Sequence, residues 1–184
     1  MKQITFVTGN AEKAVRASRL VGVPIVHRAI DLPEIQSLDL REVVADKLKR
    51  AYEIVGAPVM VEDVALEFSA FGRLPGTFVK FFEREMGLQQ MCGVLDGRDR
   101  TAVARCIIGY TDGTHTEFFH GEQRGEIAPT PCPTRGHSFG WGQIFVADGF
   151  GGVTNAELNK EDYDRFFCGL RRYDLLKKFL QSLL

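Results

Sequence analysis

The stretch ITFVTGNAEKAVRASRLVG, residues 4–22, decides the class of the fold. ITFV is a short, continuous apolar run of the kind that forms a buried strand. TGN interrupts it, and AEKAVRASRLVG follows with helical character. Asn10 is placed to cap the helix start, and Gly22 to stop it. Strand, glycine turn and helix in direct succession open an α/β chain. The same turn is the first place where chemistry can sit. Exposed N–H groups there, together with the positive end of the helix dipole, suit an anion. Thr8 and Asn10 add polar side chains, and Lys13 adds a charge within the first turn. The segment lacks the G-x-x-x-x-G-K-[ST] spacing of a Walker A loop. An ordinary helix cap followed by a surface lysine fits these residues as well.

Outward from there, PIVHRAI (24–30) reads as a second strand. DLREVVADKLKRAYEIVG (39–56) reads as a helix: Asp39 and Glu42 have capping-box spacing, and Val44, Leu48, Ala51 and Val55 share a face. APVMVED (57–63) reads as a buried strand ending abruptly in two acids. FGRLPG (71–76) is a turn-rich loop, and TFVKFFEREMG is a short helix with Phe78, Phe81 and Phe82 at helical spacing. TAVARCIIGY (101–110), the turn TDGT and HTEFFH (115–120) carry a hairpin signal, with EQRGEIA as a third antiparallel strand. The Pro-rich PTPCPTRGHS (129–138) leads into FGWGQIF (139–145), and QIFVA (143–147) is a strand. From Glu161 the chain is helical, with Tyr173, Leu176 and Leu180 on one face. Helices alternate with strands in the first half and a meander follows, so the expected class is α/β with a mixed sheet. Length fits one domain over 1–184, with room for two lobes around a cleft.

Composition narrows the function. Of 184 residues 45 % are hydrophobic and 26 % charged, enough for a sizeable core, and the net charge is −1. Such a balance gives no electrostatic footprint for nucleic acid or an anionic membrane, while a compact anion needs only a few local cations. The cysteines, Cys92, Cys106, Cys132 and Cys168, form no C-x-x-C pair. No apolar run approaches the roughly 20 residues that span a bilayer, and Met1 leads almost directly into ITFV. The expectation is a cytoplasmic protein with reduced thiols.

Glu34 in DLPEIQ and the pair Glu62-Asp63 are the acids of interest. Adjacent strand residues point to opposite sides, and acids on so apolar a strand are costly to bury unless paired or metal-bound. Mg²⁺ takes carboxylate oxygens and arrives with phosphates. Glu34 and Asp63, with Glu62 beside them, form the metal-facing set, and Asp63 can also orient or deprotonate a water. Solvated acids at a sheet edge are the simpler alternative. Lys47 flanks the buried stripe of its helix and Lys80 sits among phenylalanines; either is a natural phosphate partner or a snorkelling surface lysine. Phe139 and Trp141, interleaved with Gly140 and Gly142, can stack on a nucleobase or plug a sheet end.

Together these stretches resemble the inosine-triphosphate pyrophosphatase family, nearly end to end. TGNAEK resembles its [ST]-G-N-x-x-K phosphate loop and DLPEIQ its acidic metal segment. VEDVALEFSAFGRLPGTFVKFF matches its V-E-D-[TS]-x-L…G-x-P-G-x-[YF]-x-K-[WF]-F block in length and order, and RGHSFGWGQIFVADGF resembles its F-G-[WY]-D-P-x-F-x-P-D-G-[YF] block. The resemblance implies an elongated, curved mixed sheet with two lobes around a nucleotide cleft, usually as a homodimer. It implies release of pyrophosphate from non-standard purine nucleoside triphosphates such as ITP, dITP and XTP. Thr8, Gly9, Asn10, Lys13 and Lys47 would hold phosphates, Lys13 and Asp63 would be catalytic, and Glu34 and Asp63 would bind Mg²⁺. Val64, Lys80, Phe139, Gly140, Trp141 and Gly142 would line the nucleotide and base site.

The departures fall on the base-reading half. Gly142 stands where the family has aspartate, Gln143 where it has proline, and Val64 where it has threonine or serine. The family's lysine and the S-H-R that follows it are missing. Without a gap they fall on Tyr163 and Phe167-Cys168-Gly169; with two inserted residues they fall on Arg165 and Gly169-Leu170-Arg171. The second alignment keeps two cations six residues apart and makes Arg165 and Arg171 the expected base readers. Relaxed or shifted base selectivity is expected, with a nucleotide-binding protein lacking turnover as the alternative.

Overall fold

A computed structural model describes residues 3–133 and 140–183. Strand β1, Ile4–Val7, runs into α1, Ala11–Val21. Asn10 is extended there, and its side chain accepts the Glu12 N–H at 3.0 Å. Gly22 closes α1 at φ 79°, a left-handed value that costs glycine nothing. Strand β2, Ile25–Arg28, follows. Asp39 caps α2, Leu40–Val55, by accepting from the Arg41 and Glu42 N–H groups. The reciprocal half of the capping box is replaced: Ser37 donates its hydroxyl to Glu42 and accepts the Asp39 N–H. A serine two residues upstream meets both groups before they can meet each other.

Five expectations about the elements change. Strand β3, Val59–Phe68, does not end at its acids; Ala65, Leu66 and Phe68 beyond them are buried and extend the core. Within the supposed loop, β4, Pro75–Gly76, pairs antiparallel with β3, Leu66 opposite Gly76. Helix α3, Val79–Gly93, runs past Gly87, which interrupts it at φ 75°, ψ 157°. After β5, Thr101–Thr111, and a tight turn, β6, Thr116–Ile127, joins HTEFFH and EQRGEIA into one strand. Finally, β7, Phe145–Ala147, precedes two C-terminal helices, α4, Lys160–Arg171, and α5, Tyr173–Ser182. Arg172 separates them in the left-handed region, φ 45° and ψ 40°.

The class is mixed α/β as expected: a seven-stranded sheet ordered β2-β1-β3-β5-β6-β7, with β4 attached to β3. β1 lies parallel to both β2 and β3, whereas β7 is antiparallel to β6. The chain divides into two compact units. The first comprises residues 3–63, 106–121 and 171–183, with Phe6, Ala17, Val44, Ala51, Met60, Ile108 and Leu176 in its core. In the second, residues 64–105 and 122–170, the core includes Leu66, Phe68, Met91, Leu95, Ile127, Ile144 and Phe145. All four cysteines are free.

The β6–β7 pair of the second unit rests on Gly125. A Cβ there would collide with the Val146 carbonyl oxygen and press on the Phe145 ring at 3.0 Å. Backbone cannot yield as a side-chain tip can. Gly125→Ala is therefore expected to lower stability by about 1–3 kcal/mol, read as a reduced urea midpoint with an unchanged m value.

Candidate functional site

Consecutive positions on β3 send Glu62 and Asp63 to different sets of partners in the first unit. Glu62 is buried, with only 1 % of its side chain exposed. Its Oε1 accepts from Lys13 Nζ at 2.9 Å and from Arg171 Nε at 3.0 Å, and its Oε2 accepts from the Tyr173 hydroxyl at 2.8 Å. Lys13 comes from the first turn of α1. Arg171 ends α4 and Tyr173 begins α5, so the left-handed turn at Arg172 brings both to one carboxylate. Burial pushes the Glu62 carboxyl up. The charges of Arg171 and Lys13, with the hydrogen bonds from Lys13 and Tyr173, outweigh it and bring its pKa to about 2. Burial first, and then the Glu62 charge, hold the Tyr173 hydroxyl well above its ordinary range, so it stays a donor. Glu62, expected among the metal-facing acids, is thus an enclosed anchor for two cations with both oxygens engaged.

Asp63 faces a different lysine. Lys47 Nζ, from α2, donates to Asp63 Oδ2 at 3.1 Å and to Glu34 Oε1 at 2.7 Å. Burial works to lower the Lys47 pKa, but Asp63 and Glu34 outweigh it and the pKa is raised. Glu34 lies on the exposed segment before α2. The two acids and the lysine singled out separately in the sequence therefore meet at one point. Among the described residues no group of three or more His, Cys, Asp or Glu is arranged to hold a metal. Mg²⁺ needs only one or two carboxylates beside phosphates and water. A pair of carboxylates already converging on one positive charge fits that requirement.

The TGN turn belongs to the same unit and is held in shape by hydrogen bonds of its own. Thr8 Oγ1 accepts the Asn10 N–H at 3.2 Å, Asn10 caps α1, and the Thr8 carbonyl meets His27 Nε2 at 2.7 Å. Gly9 is exposed, and a Cβ on it would touch nothing within 4 Å.

The expected base-reading residues belong to the second unit, Arg171 apart. Phe139 lies outside the described residues. Gly140, Trp141 and Gly142 form a short 3₁₀ turn, Gly140–Gln143. Gly140 has φ 61°, and the Glu83 carboxylate of α3 stands 2.8 Å from where its Cβ would be. Glu83 also accepts the Trp141 N–H; burial nevertheless keeps its pKa raised. The Trp141 ring is half-buried and meets Phe145 edge-on at 5.7 Å. Gly142 is buried, and its carbonyl accepts the Ala156 N–H at 2.9 Å. Lys80 is exposed on α3, and Val64 is half-buried.

The two C-terminal cations have different partners. Arg165 is exposed, bonded to Asp162 at 3.0 Å and lying over the Phe150 ring at 4.5 Å. Arg171 is tied to Glu62. Tyr163 and Phe167, the ungapped alternatives, are buried on α4. Sequence reading treated Tyr173 as one apolar position on a helix face and did not single out Glu83. For Tyr173 a signal existed: a phenol on a buried face needs a partner for its hydroxyl.

A model of the Ham1 family matches residues 4–172. The inosine triphosphate pyrophosphatase of Scheffersomyces stipitis is 38 % identical over 198 residues, covering 99 % of this chain and 100 % of the relative. That of Kluyveromyces lactis is 36 % identical over 191 residues, covering 98 % and 96 %. The Ham1 protein of Staphylococcus aureus superposes with a TM-score of 0.84 over 100 % of both chains at 22 % identity, a likeness of fold.

The Glu62 cluster makes a prediction about acid stability. Its folded pKa of about 2 lies below the ordinary 4.5. Its contribution is thus full above that ordinary value and disappears as pH falls through the folded one. Glu62→Gln leaves two cations without their counter-charge and is expected to cost about 3 kcal/mol at neutral pH. Chemical unfolding followed across that acid range should show a flatter limb in the variant than in the parent.

Proposed function

The chain belongs to the Ham1 family, and from that premise we propose that it is a hydrolase of acid anhydrides, converting nucleoside triphosphates of the non-standard purine class (ITP, dITP, XTP) to the monophosphate and pyrophosphate. The observation that carries the reading is the convergence of Glu34, Lys47 and Asp63 on one point, in the same unit as the TGN turn and Lys13. A triphosphate–metal complex needs both kinds of partner, carboxylates for the cation and donors for the phosphates.

In this reading the start of α1, with Thr8, Gly9 and Asn10, receives phosphate oxygens at the positive end of the helix. Lys13, steadied by Glu62, and Lys47 supply point charges to them. Glu34 and Asp63 would hold Mg²⁺, which when bound neutralises phosphate charge and favours attack at phosphorus. Asp63 takes the proton from a water whose oxygen bonds to the α-phosphorus, as the bond from that phosphorus to the bridging oxygen breaks. The leaving group is pyrophosphate. Trp141 supplies an aromatic wall for the base, with Lys80, Val64 and the turn's glycines around it. The missing acid at Gly142 relaxes or shifts base selectivity, because a hydrogen-bonding group absent from a site no longer penalises the wrong partner. A cytoplasmic homodimer completes the reading, and no helix among the described residues is long and apolar enough to cross a membrane.

The test is a panel of ITP, XTP, dUTP, ATP and GTP with Mg²⁺, scored for pyrophosphate against phosphate. Pyrophosphate release is expected, with ITP and XTP less favoured over GTP and ATP than a strict site would allow. Asp63→Asn should lower turnover by about 10²–10⁴-fold while Mg-nucleotide binding, followed by calorimetry, is largely retained. Turnover of none of these triphosphates by the parent protein would leave only a nucleotide-binding role.

A further inference from the structure

Two cations and one neutral group share the Glu62 carboxylate. Its Oε1 accepts from Arg171 Nε at 3.0 Å and from Lys13 Nζ at 2.9 Å, and its Oε2 accepts from the Tyr173 hydroxyl at 2.8 Å. A carboxylate held at both oxygens from different directions has its rotation about the Cγ–Cδ bond fixed. We propose that Tyr173 is a positioning residue for the phosphate site: its hydroxyl fixes the rotation of the Glu62 carboxylate and so keeps Lys13 aimed beside the TGN turn.

Three features support this role over simple core filling. Tyr173 is buried to 2 % exposure, so its hydroxyl must find a partner inside the protein. Its hydroxyl contact is to a group in contact with a proposed phosphate lysine, not to an isolated backbone atom. Lys13 is a flexible point charge with 21 % of its side chain exposed, and its anchor decides where it points. Without the hydroxyl, Oε2 loses the donor that fixes it, and the carboxylate can turn about its Cγ–Cδ bond, carrying Oε1 away from Lys13. The inference rests on the proposed role of Lys13 in holding phosphate.

The experiment is a double-mutant cycle with inorganic tripolyphosphate and Mg²⁺ as the probe, read by calorimetry, on Tyr173→Phe, Lys13→Met and the double variant. Tyr173→Phe is expected to weaken tripolyphosphate binding about tenfold in the parent and less than about twofold in the Lys13→Met background, the signature of coupled residues. Equal weakening in both backgrounds, no weakening in the parent, or no tripolyphosphate binding by the parent overturns the proposal. Should Tyr173→Phe not fold, Tyr173→Met, which likewise removes the hydroxyl, takes its place in the same cycle with the same expected non-additivity. The probe has no base and the readout needs no turnover. A parent that binds tripolyphosphate but hydrolyses no triphosphate therefore defeats the proposed function while the cycle still judges Tyr173.

Discussion

Keeping a carboxylate charged in a buried position requires that donors be brought to it from elsewhere in the chain. Glu62 imposes this requirement on the first unit, and three separate segments answer it. The start of α1 delivers Lys13, the end of α4 delivers Arg171, and the start of α5 delivers Tyr173. The left-handed Arg172 belongs to the same solution, because a continuous helix would not turn both of its neighbours onto one carboxylate. Two positive charges meet one negative charge there, so a surplus of positive charge remains beside the TGN turn.

Much of this was legible in the sequence, and the gaps have physical causes. Helix ends were readable because their determinants are local: Asn10, Asp39, Gly22 and Gly56 all act within a few residues. The continuation of β3 past its acids was not, because a buried Glu62 is tolerable only with partners 49 and 109 residues away. The break at Arg172 was hidden for a related reason. Arginine carries no local signal for a left-handed turn, and the conformation is set by what its neighbours bind. The length of β6 escaped because Gly121 reads locally as a stop, although the strand passes through it.

The two units differ in how far their chemistry departs from the resemblance. In the first, Glu34, Lys47, Asp63, Lys13 and the TGN turn occupy coherent local arrangements. In the second, the acid expected at position 142 is a buried glycine, and Arg165 is engaged on the surface with Asp162 and Phe150. A carboxylate is present at the tryptophan turn, but it comes from α3: Glu83 accepts the Trp141 N–H and stands against Gly140. The first-unit residues singled out in sequence thus meet one another in the structure, whereas the carboxylate at the tryptophan turn belongs to a different element.

The lysine that joins Glu34 to Asp63 has a consequence for the order in which charges can enter. A bare cation that takes both carboxylates from Lys47 leaves the ammonium without its partners. A bare polyanion faces the opposite obstacle, since the lysine it seeks is held by carboxylates. A cation and a polyanion arriving as one complex remove both obstacles in a single exchange: the acids pass to the cation while the lysine passes to the polyanion, and no charge is left alone at any stage. In the proposed role, an internal salt bridge of this kind answers to the pair more readily than to either member alone.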